Sequence, residues 1–345
     1  MPESQSDTLD RVLDAALSRA GDEPVEFDVA AGRAALAAAL EDRAARPAEH
    51  KPRRTRWLAA AAAVTVLTGA ALAASTADFG GTSATAAEQL VRAADLAARV
   101  VERPLAPGQF RYVRSRYEGI TVEGDGGKAS ATDLTQEEWV PADRRDEWMF
   151  RNQINSVRWL EGHEGQGRPD AGTSFKDGQE FRGKCGKYSY YAEGQPDRCT
   201  DGSFHNPTPE FVAALPKDPA AMLARLREAG QAGDAGALVQ AGAALNSGQY
   251  PAEVRATIFR ALALLPGLVV TDRKANLDGK EGVALGLKHF DDFTEIIVDP
   301  DNGDYIGSRA TVAEDLPPEE GGLEKGTVRS SSAVTTKIVD SLGAR

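Results

Sequence analysis

The sequence predicts an α+β protein carried on a single transmembrane helix. Two observations carry that expectation. Trp57–Thr76 (WLAAAAAVTVLTGAALAAST) runs twenty residues without a charge, Pro, Asn or Gln, and a helix of that length spans roughly 30 Å, the thickness of a bilayer's hydrocarbon. Beyond it, β-type runs rich in Val, Ile, Thr and aromatic residues flank one helical block, the order of an α+β domain with an antiparallel sheet. Just before the apolar run, Lys51, Arg53, Arg54 and Arg56 form a basic cluster. Basic residues stay in the cytoplasm, so the cluster places the N-terminus inside and the C-terminal part outside. The predicted organisation is a cytoplasmic helical segment and basic linker (1–56), a transmembrane helix (57–76) and an extracytoplasmic α+β domain (77–345). A cleaved signal peptide would also contain such a run, with Ala71-Leu72-Ala73 as its cleavage-like triplet. Its apolar core would lie within the first 15–30 residues, however, and here more than fifty precede it.

The chain of 345 residues has a net charge of −12. Residues 1–56 hold nine basic and eleven acidic residues, leaving 31 basic against 41 acidic beyond them. An acidic outer domain argues against nucleic acid as a partner.

In the inner segment Leu9, Val12, Leu13 and Leu17 share one helical face, with Ala16 among them. Ser6 or Asp7 suits the cap, and Gly21 and Pro24 end the helix. A second helix is expected from Asp28 through Leu36 and Leu40 to Arg46. Two helices this short bury no core of their own. Either the apolar stripe Leu9, Val12, Leu13, Leu17 folds against a cytoplasmic partner, or the segment is a loosely ordered tail carrying the topology signal. It contains no Cys, and its one His is His50.

Outside, Ser83–Val101 reads as a helix with Leu90, Val91, Ala94 and Ala98 on one face, ended by Pro104. Gln109–Tyr117 reads as a strand with an apolar face and a basic face of Arg111, Arg114 and Arg116. Gly119–Thr132 reads as a loop. Gln136–Val140 and Glu147–Arg151 form a hairpin about Pro141-Ala142-Asp143, and Val157–Leu160 forms a further short strand. His163–Gly178 is a long polar loop. Thr208–Leu215, Pro219–Glu228, Gly233–Leu245 and Pro251–Leu265 form the helical block. Asp218 caps the second of these with Pro219 at its first position, and Val254, Ile258, Ala261, Leu262 and Leu265 make the last one's apolar face. Strands return at Leu268–Thr271, Gly282–Leu287, Thr294–Val298, Tyr305–Thr311 and Val328–Asp340. Asn302-Gly303 is the hairpin signal between the third and fourth of these.

Cys185 and Cys199 are the only cysteines. Both lie outside by this topology, where an oxidising compartment favours a disulfide over two separate thiols. Tyr188, Tyr190 and Tyr191 between them suit either a strand or an exposed aromatic loop. No catalytic set, cofactor motif or metal spacing emerges. Counting from Asp299, Gly303 is fifth and Ala310 twelfth, so the EF-hand pattern of Gly at six and Glu at twelve fails. His163, His205 and His289 lack a His or Cys at helical spacing. Trp139, Trp148 and Trp159 fall on predicted strands and fit the core better than a ligand-stacking role.

Several phrases occur together and in order: the basic cluster with the Ala-rich run, Pro107-Gly108-Gln109-Phe110-Arg111-Tyr112-Val113, Glu138-Trp139-Val140-Pro141, Leu215-Pro216-Lys217-Asp218-Pro219 followed by Leu223, Phe259-Arg260-Ala261-Leu262-Ala263 and Val298-Asp299-Pro300-Asp301. In these the chain resembles an uncharacterised actinobacterial family of single-pass membrane proteins often associated with extracytoplasmic-function sigma factors. The outer part also resembles the lipoprotein-carrier and sigma-regulator sensor fold, a curved antiparallel sheet around helices with an apolar groove. The resemblance implies a cell-membrane sensing or binding protein that signals to a cytoplasmic sigma factor or similar regulator. An envelope carrier of lipid or lipoprotein, holding an apolar envelope ligand, is the alternative. It implies no enzyme and no catalytic residue.

Overall fold

The computed structural model describes residues 84–345 apart from 124–127, 163–166, 168, 172, 174, 191–195 and 231. The apolar run Trp57–Thr76, the basic cluster Lys51, Arg53, Arg54, Arg56 and the stripe Leu9, Val12, Leu13, Leu17 lie outside the described residues. No helix among the described residues is long and apolar enough to cross a membrane.

Runs of alternating and β-branched residues form nine strands: β1 (Phe110–Glu123), β2 (Lys128–Pro141), β3 (Glu147–Trp159), β4 (Gln179–Lys184), β5 (Val269–Leu277), β6 (Lys280–His289), β7 (Asp292–Val298), β8 (Tyr305–Val312) and β9 (Val328–Val339). They make one antiparallel sheet in the order β4-β3-β2-β1-β9-β8-β7-β6-β5. Two stacks of consecutive hairpins therefore meet at a seam. There β1 pairs with β9 from Phe110↔Val339 to Gly119↔Ser330. The helices are α1 (Ala84–Ala97), α2 (Pro209–Ala214), α3 (Pro219–Gly230), α4 (Gly233–Asn246) and α5 (Ala252–Leu262).

The α+β class and the helical block are as the sequence predicts. Asp218 caps α3, its Oδ1 accepting from Ala221 N at 2.9 Å, and Thr208 Oγ1 caps α2 by accepting from Phe211 N at 3.2 Å. The main core lies between the helices and the β5–β7 half of the sheet. Ile258, Phe259, Leu262, Leu226 and Leu238 meet Leu285, Ile296 and Val298 there. Each such side chain contributes roughly 1.5–3 kcal/mol by leaving water.

Several sequence expectations need correction. Gly119–Thr132 is not a loop: β1 runs to Glu123 and β2 starts at Lys128, in register from Phe110↔Pro141 to Glu123↔Lys128. The Gly and Ser residues there mask a β-branched run, Ile120-Thr121-Val122. Val157–Leu160 is no separate strand, because β3 continues to Trp159 through a bulge opposite Asp133/Leu134. The six-residue edge strand β4 was not predicted. The first helix ends at Ala97, and its buried face is Leu90, Ala93, Ala94 and Ala97 rather than one with Val91, which is 43% exposed. The basic residues of β1 do not share a face. With a period of two, Arg114 and Arg116 stand with buried Tyr112, and Arg111 stands with Val113 and Ser115.

Two close approaches shape the sheet. Gly303, in the β7–β8 turn, has φ +76°, and a Cβ there would lie 2.5 Å from the carbonyl oxygen of Ala93, so the turn packs directly on α1. At the other end, Asp278 (φ +50°) and Gly279 (φ +81°) form the two-residue β5–β6 turn, a type I′ pattern. That turn reaches back across the sheet to β1. Asp278 Oδ2 accepts from Arg114 Nη1 at 2.5 Å and Oδ1 from Arg116 Nη1 at 2.9 Å. Arg116 is also bonded to Asp133 at 2.8 and 3.1 Å.

Partial burial raises the Asp278 pKa, but bonds from Arg114 and Arg116 outweigh that and hold it below its ordinary value. A depressed folded-state pKa adds stability above the unfolded carboxylate's pKa and loses it as pH falls through the folded value. Asp278→Asn is expected to cost about 1 kcal/mol near neutral pH, the magnitude of a charge-assisted bond discounted for partial exposure. It should also make unfolding less acid-sensitive below about pH 4, the ordinary carboxylate range. Urea unfolding at pH 7 and pH 3.5 checks both.

Candidate functional site

Helix α4 lies over the middle of the sheet and touches it at Gly242. A Cβ there would be in ordinary contact, 3.7 Å from Ser308 Cβ and from the Tyr305 hydroxyl. That hydroxyl is shared between Asn246 Oδ1 at 3.2 Å and Gly242 O at 3.3 Å. Beside this contact a groove of about 530 Å³ opens, walled by Tyr117, Leu134, Leu238 and Val239 over a floor that includes Ser308 and Ser332. A second hollow of about 400 Å³ shares Tyr117, Ala243 and Asn246 with it, so the two form one trough. The first end is mostly apolar. The Ser332 hydroxyl, buried at that end, has no hydrogen-bond partner.

The second end has aromatic walls and polar groups: Phe150, Tyr188 and Tyr190 face Glu138, Arg198 and His205. Glu138 accepts from Tyr188 Oη at 2.8 Å and from Gln249 Nε2 at 3.5 Å. Arg144 donates in turn to Gln249 Oε1. Its guanidinium stacks 4.5 Å above the Trp148 ring, and Arg198 lies 5.5 Å from the same ring. Burial pulls the Arg144 pKa down to about 10. Burial first, then the charge of Glu138, pushes Tyr188 up, so its hydroxyl stays a donor at any physiological pH. Phe175 and Phe181 extend the aromatic wall, both within 5.0 Å of the Tyr190 ring centroid at 4.8 and 4.9 Å. The trough therefore grades from an end that exposes mostly carbon, over a lining that includes Glu295, Arg309 and several Ser and Thr, to an aromatic-polar end, an arrangement suited to an amphiphilic ligand.

The disulfide positions the aromatic end. Cys185 and Cys199 are bridged, with their Cα atoms 5.1 Å apart. The closed segment supplies Tyr188, Tyr190 and Arg198. It turns sharply against Trp148: Cys185 has φ +57°, and a Cβ on Gly186 would lie 2.8 Å from Trp148 Cε3.

Trp139 and Trp148 are buried, with Nε1 donating to Ala344 O at 2.6 Å and to Arg144 O at 2.8 Å. Trp159 Nε1 donates to Gly167 O at 2.8 Å. Tyr188 is buried and Tyr190 is 39% exposed, so this stretch is an aromatic loop rather than a strand. Tyr191 lies outside the described residues. Asp299 and Asn302 cap their own turn by accepting from Asp301 N at 2.8 Å and Asp304 N at 2.7 Å. Among the described residues no group of three His, Cys, Asp or Glu is placed to hold a metal ion. The sequence places Tyr117 at the end of an expected strand and leaves Leu134 outside one, because it breaks off β1 too early and starts β2 too late. The β-branched run Ile120-Thr121-Val122 was the signal that would have extended both.

Comparison with protein-family models, curated proteins and solved structures finds no match for this chain.

Replacing Cys185 and Cys199 together by Ser is expected to lower the domain's stability by roughly 2–5 kcal/mol, the usual effect of removing a native bridge. Chemical denaturation of both forms measures it. Thiol labelling of the unreduced, denatured wild-type protein should find no free thiol.

Proposed function

We propose that the protein is a membrane-anchored extracytoplasmic sensing or binding protein that signals to a cytoplasmic regulator in the manner of an anti-sigma factor. The observation that carries the binding part is the trough beneath α4, with its apolar and aromatic-polar ends joined at Tyr117, Ala243 and Asn246. The membrane and signalling parts rest on the sequence: the uncharged run Trp57–Thr76, the cations Lys51, Arg53, Arg54 and Arg56, and the inner stripe Leu9, Val12, Leu13 and Leu17. The bridged cysteines fit an oxidising compartment for the outer domain. In this reading an apolar or amphiphilic envelope ligand occupies the trough, and occupancy alters how the inner helices hold a sigma factor. The apolar lining of the trough equally suits an envelope lipid or lipoprotein carrier, in which the inner segment is inert.

Two experiments separate these readings. N-phenyl-1-naphthylamine, a small apolar fluorophore, should brighten saturably on binding the wild-type protein. Ala243→Trp, which fills the junction of the two ends, should reduce that signal several-fold without unfolding the domain. Equal brightening by both forms rejects the trough as the site.

Replacing Leu13 and Leu17 by Asp should abolish co-purification of the full chain with a cytoplasmic sigma factor while leaving fluorophore binding intact. If the wild type retains no sigma factor, or the double mutant retains it equally well, the regulator reading gives way to the carrier reading.

A further inference from the structure

Residues 247–250, the strap leaving α4, cross close over β1 and β9. Gly248 has φ +62°, and a Cβ there would lie 2.5 Å from Thr336 Cγ2 and 3.3 Å from Val113 Cγ2. The strap separates the trough from another cavity of about 540 Å³, bounded by the segment after α1, the β7–β8 turn and β9. Three cations, Arg111, Arg255 and Lys280, and three carboxylates, Glu102, Asp299 and Asp304, line this second cavity, and they are unequally paired. Arg255 pairs with Glu102 at 2.5 Å and donates to Tyr250 O at 2.8 Å. Glu102 is thus engaged. Arg111, on the helix-facing side of β1, lines the same cavity half-buried. Among the described residues its guanidinium makes no hydrogen bond or ion pair.

Burial pulls the Arg111 pKa below its ordinary value; the Glu102 charge works against this and the Arg255 charge adds to it. The remaining charged groups belong to other walls. Asp299 Oδ1 is taken by Asp301 N–H, and Lys280 and Asp304 are exposed. A partly desolvated guanidinium without an acceptor is unfavourable. Its planar fork of N–H donors matches the paired oxygens of a carboxylate or phosphate.

We propose that this cavity is an oxyanion site in which Arg111 takes a carboxylate or phosphate group through both arms of its guanidinium, beside the Arg255–Glu102 pair. The oxyanion is either a free ion or the head of a larger molecule. The site is distinct from the trough and does not depend on what the trough binds.

The test is thermal unfolding of the full chain in a non-ionic detergent, with sodium phosphate or sodium acetate titrated against sodium chloride at matched ionic strength. The wild type should show a saturable rise in midpoint of about 3–6 °C at ten times the dissociation constant. Arg111→Met should start at or above the wild-type midpoint, since it removes a desolvated, unpaired cation, and should show no rise. Arg111→Lys keeps the charge without the fork and should lose most of the response, which guards against a Met variant that fails to fold. A larger response to glycerol 3-phosphate than to phosphate marks the head of a larger ligand, and an equal response marks the free ion; both uphold the site. The proposal is overturned if phosphate and acetate do no more than chloride, or if the lysine variant responds as the wild type does.

Discussion

Everything in the domain depends on the pairing of β1 with β9. These strands are separated by more than two hundred residues, yet they form the central seam of the sheet, from Phe110↔Val339 to Gly119↔Ser330. On one side of the seam the hairpins β1–β4 follow one another, and on the other side β5–β9 do. Neither stack shares another strand pairing with its counterpart. A ladder of such sequence separation closes a very long loop, and that entropy is recovered only once the seam has formed. The seam also fixes the floor of the trough. Ser332 on β9 stands opposite both Tyr117 on β1 and Ser308 on β8, so residues from both stacks line one surface only after the ladder is in register.

The helical block is inserted between β4 and β5 and bridges the same seam from one face. Its core contacts lie mainly with β5–β7. Toward β1 and β2 the helix α4 stands off the sheet, and the space beneath it becomes the trough. A glycine sets the spacing at one point: Gly248 brings the strap down onto Val113 and Thr336. The helix-facing side of the sheet is thereby divided into an amphiphilic trough and a charged cavity. The clusters on the opposite face are smaller. Trp139 and Tyr112 pack there with Met149 and Val339, and the β5–β6 turn is tied down by Arg114 and Arg116.

The fold class and most helices were legible because their signals are local. Pro219 after Asp218 is a local helix start, and the Ile258, Ala261, Leu262, Leu265 face has a clear period. What failed to show was length and adjacency. Gly119, Ser130 and the glycines between them concealed a strand whose pairing partners supply its order. Asp278-Gly279 carries the same hairpin signature as Asn302-Gly303 and, given the same weight, would have extended β5 and β6 to their true ends. The split of Arg111 from Arg114 and Arg116 follows from strand geometry alone. The Cys185–Cys199 bridge was readable from the count, the chain having only two cysteines. The trough was not, because it is assembled from β1, β2, β3, β7, β8, β9, α4 and the disulfide-closed segment, and nothing in any one of them marks it.

The turn that reaches from β5–β6 to β1 also bears on how the molecule avoids its own kind. An open sheet ends in two strands with unpaired backbone groups, each a template for another chain. At one end β5 is interrupted by irregularities at Val270/Asp272 and Asp272/Ala275, and its tip is folded inward by the Asp278 ion pairs, so it presents no straight ladder. At the other end β4 has only six residues and shows Glu180, Arg182 and Lys184 in alternation. One border is withdrawn by curvature and the other is kept short and charged. A nine-stranded open sheet can in this way stay a single unit rather than the first layer of a fibre.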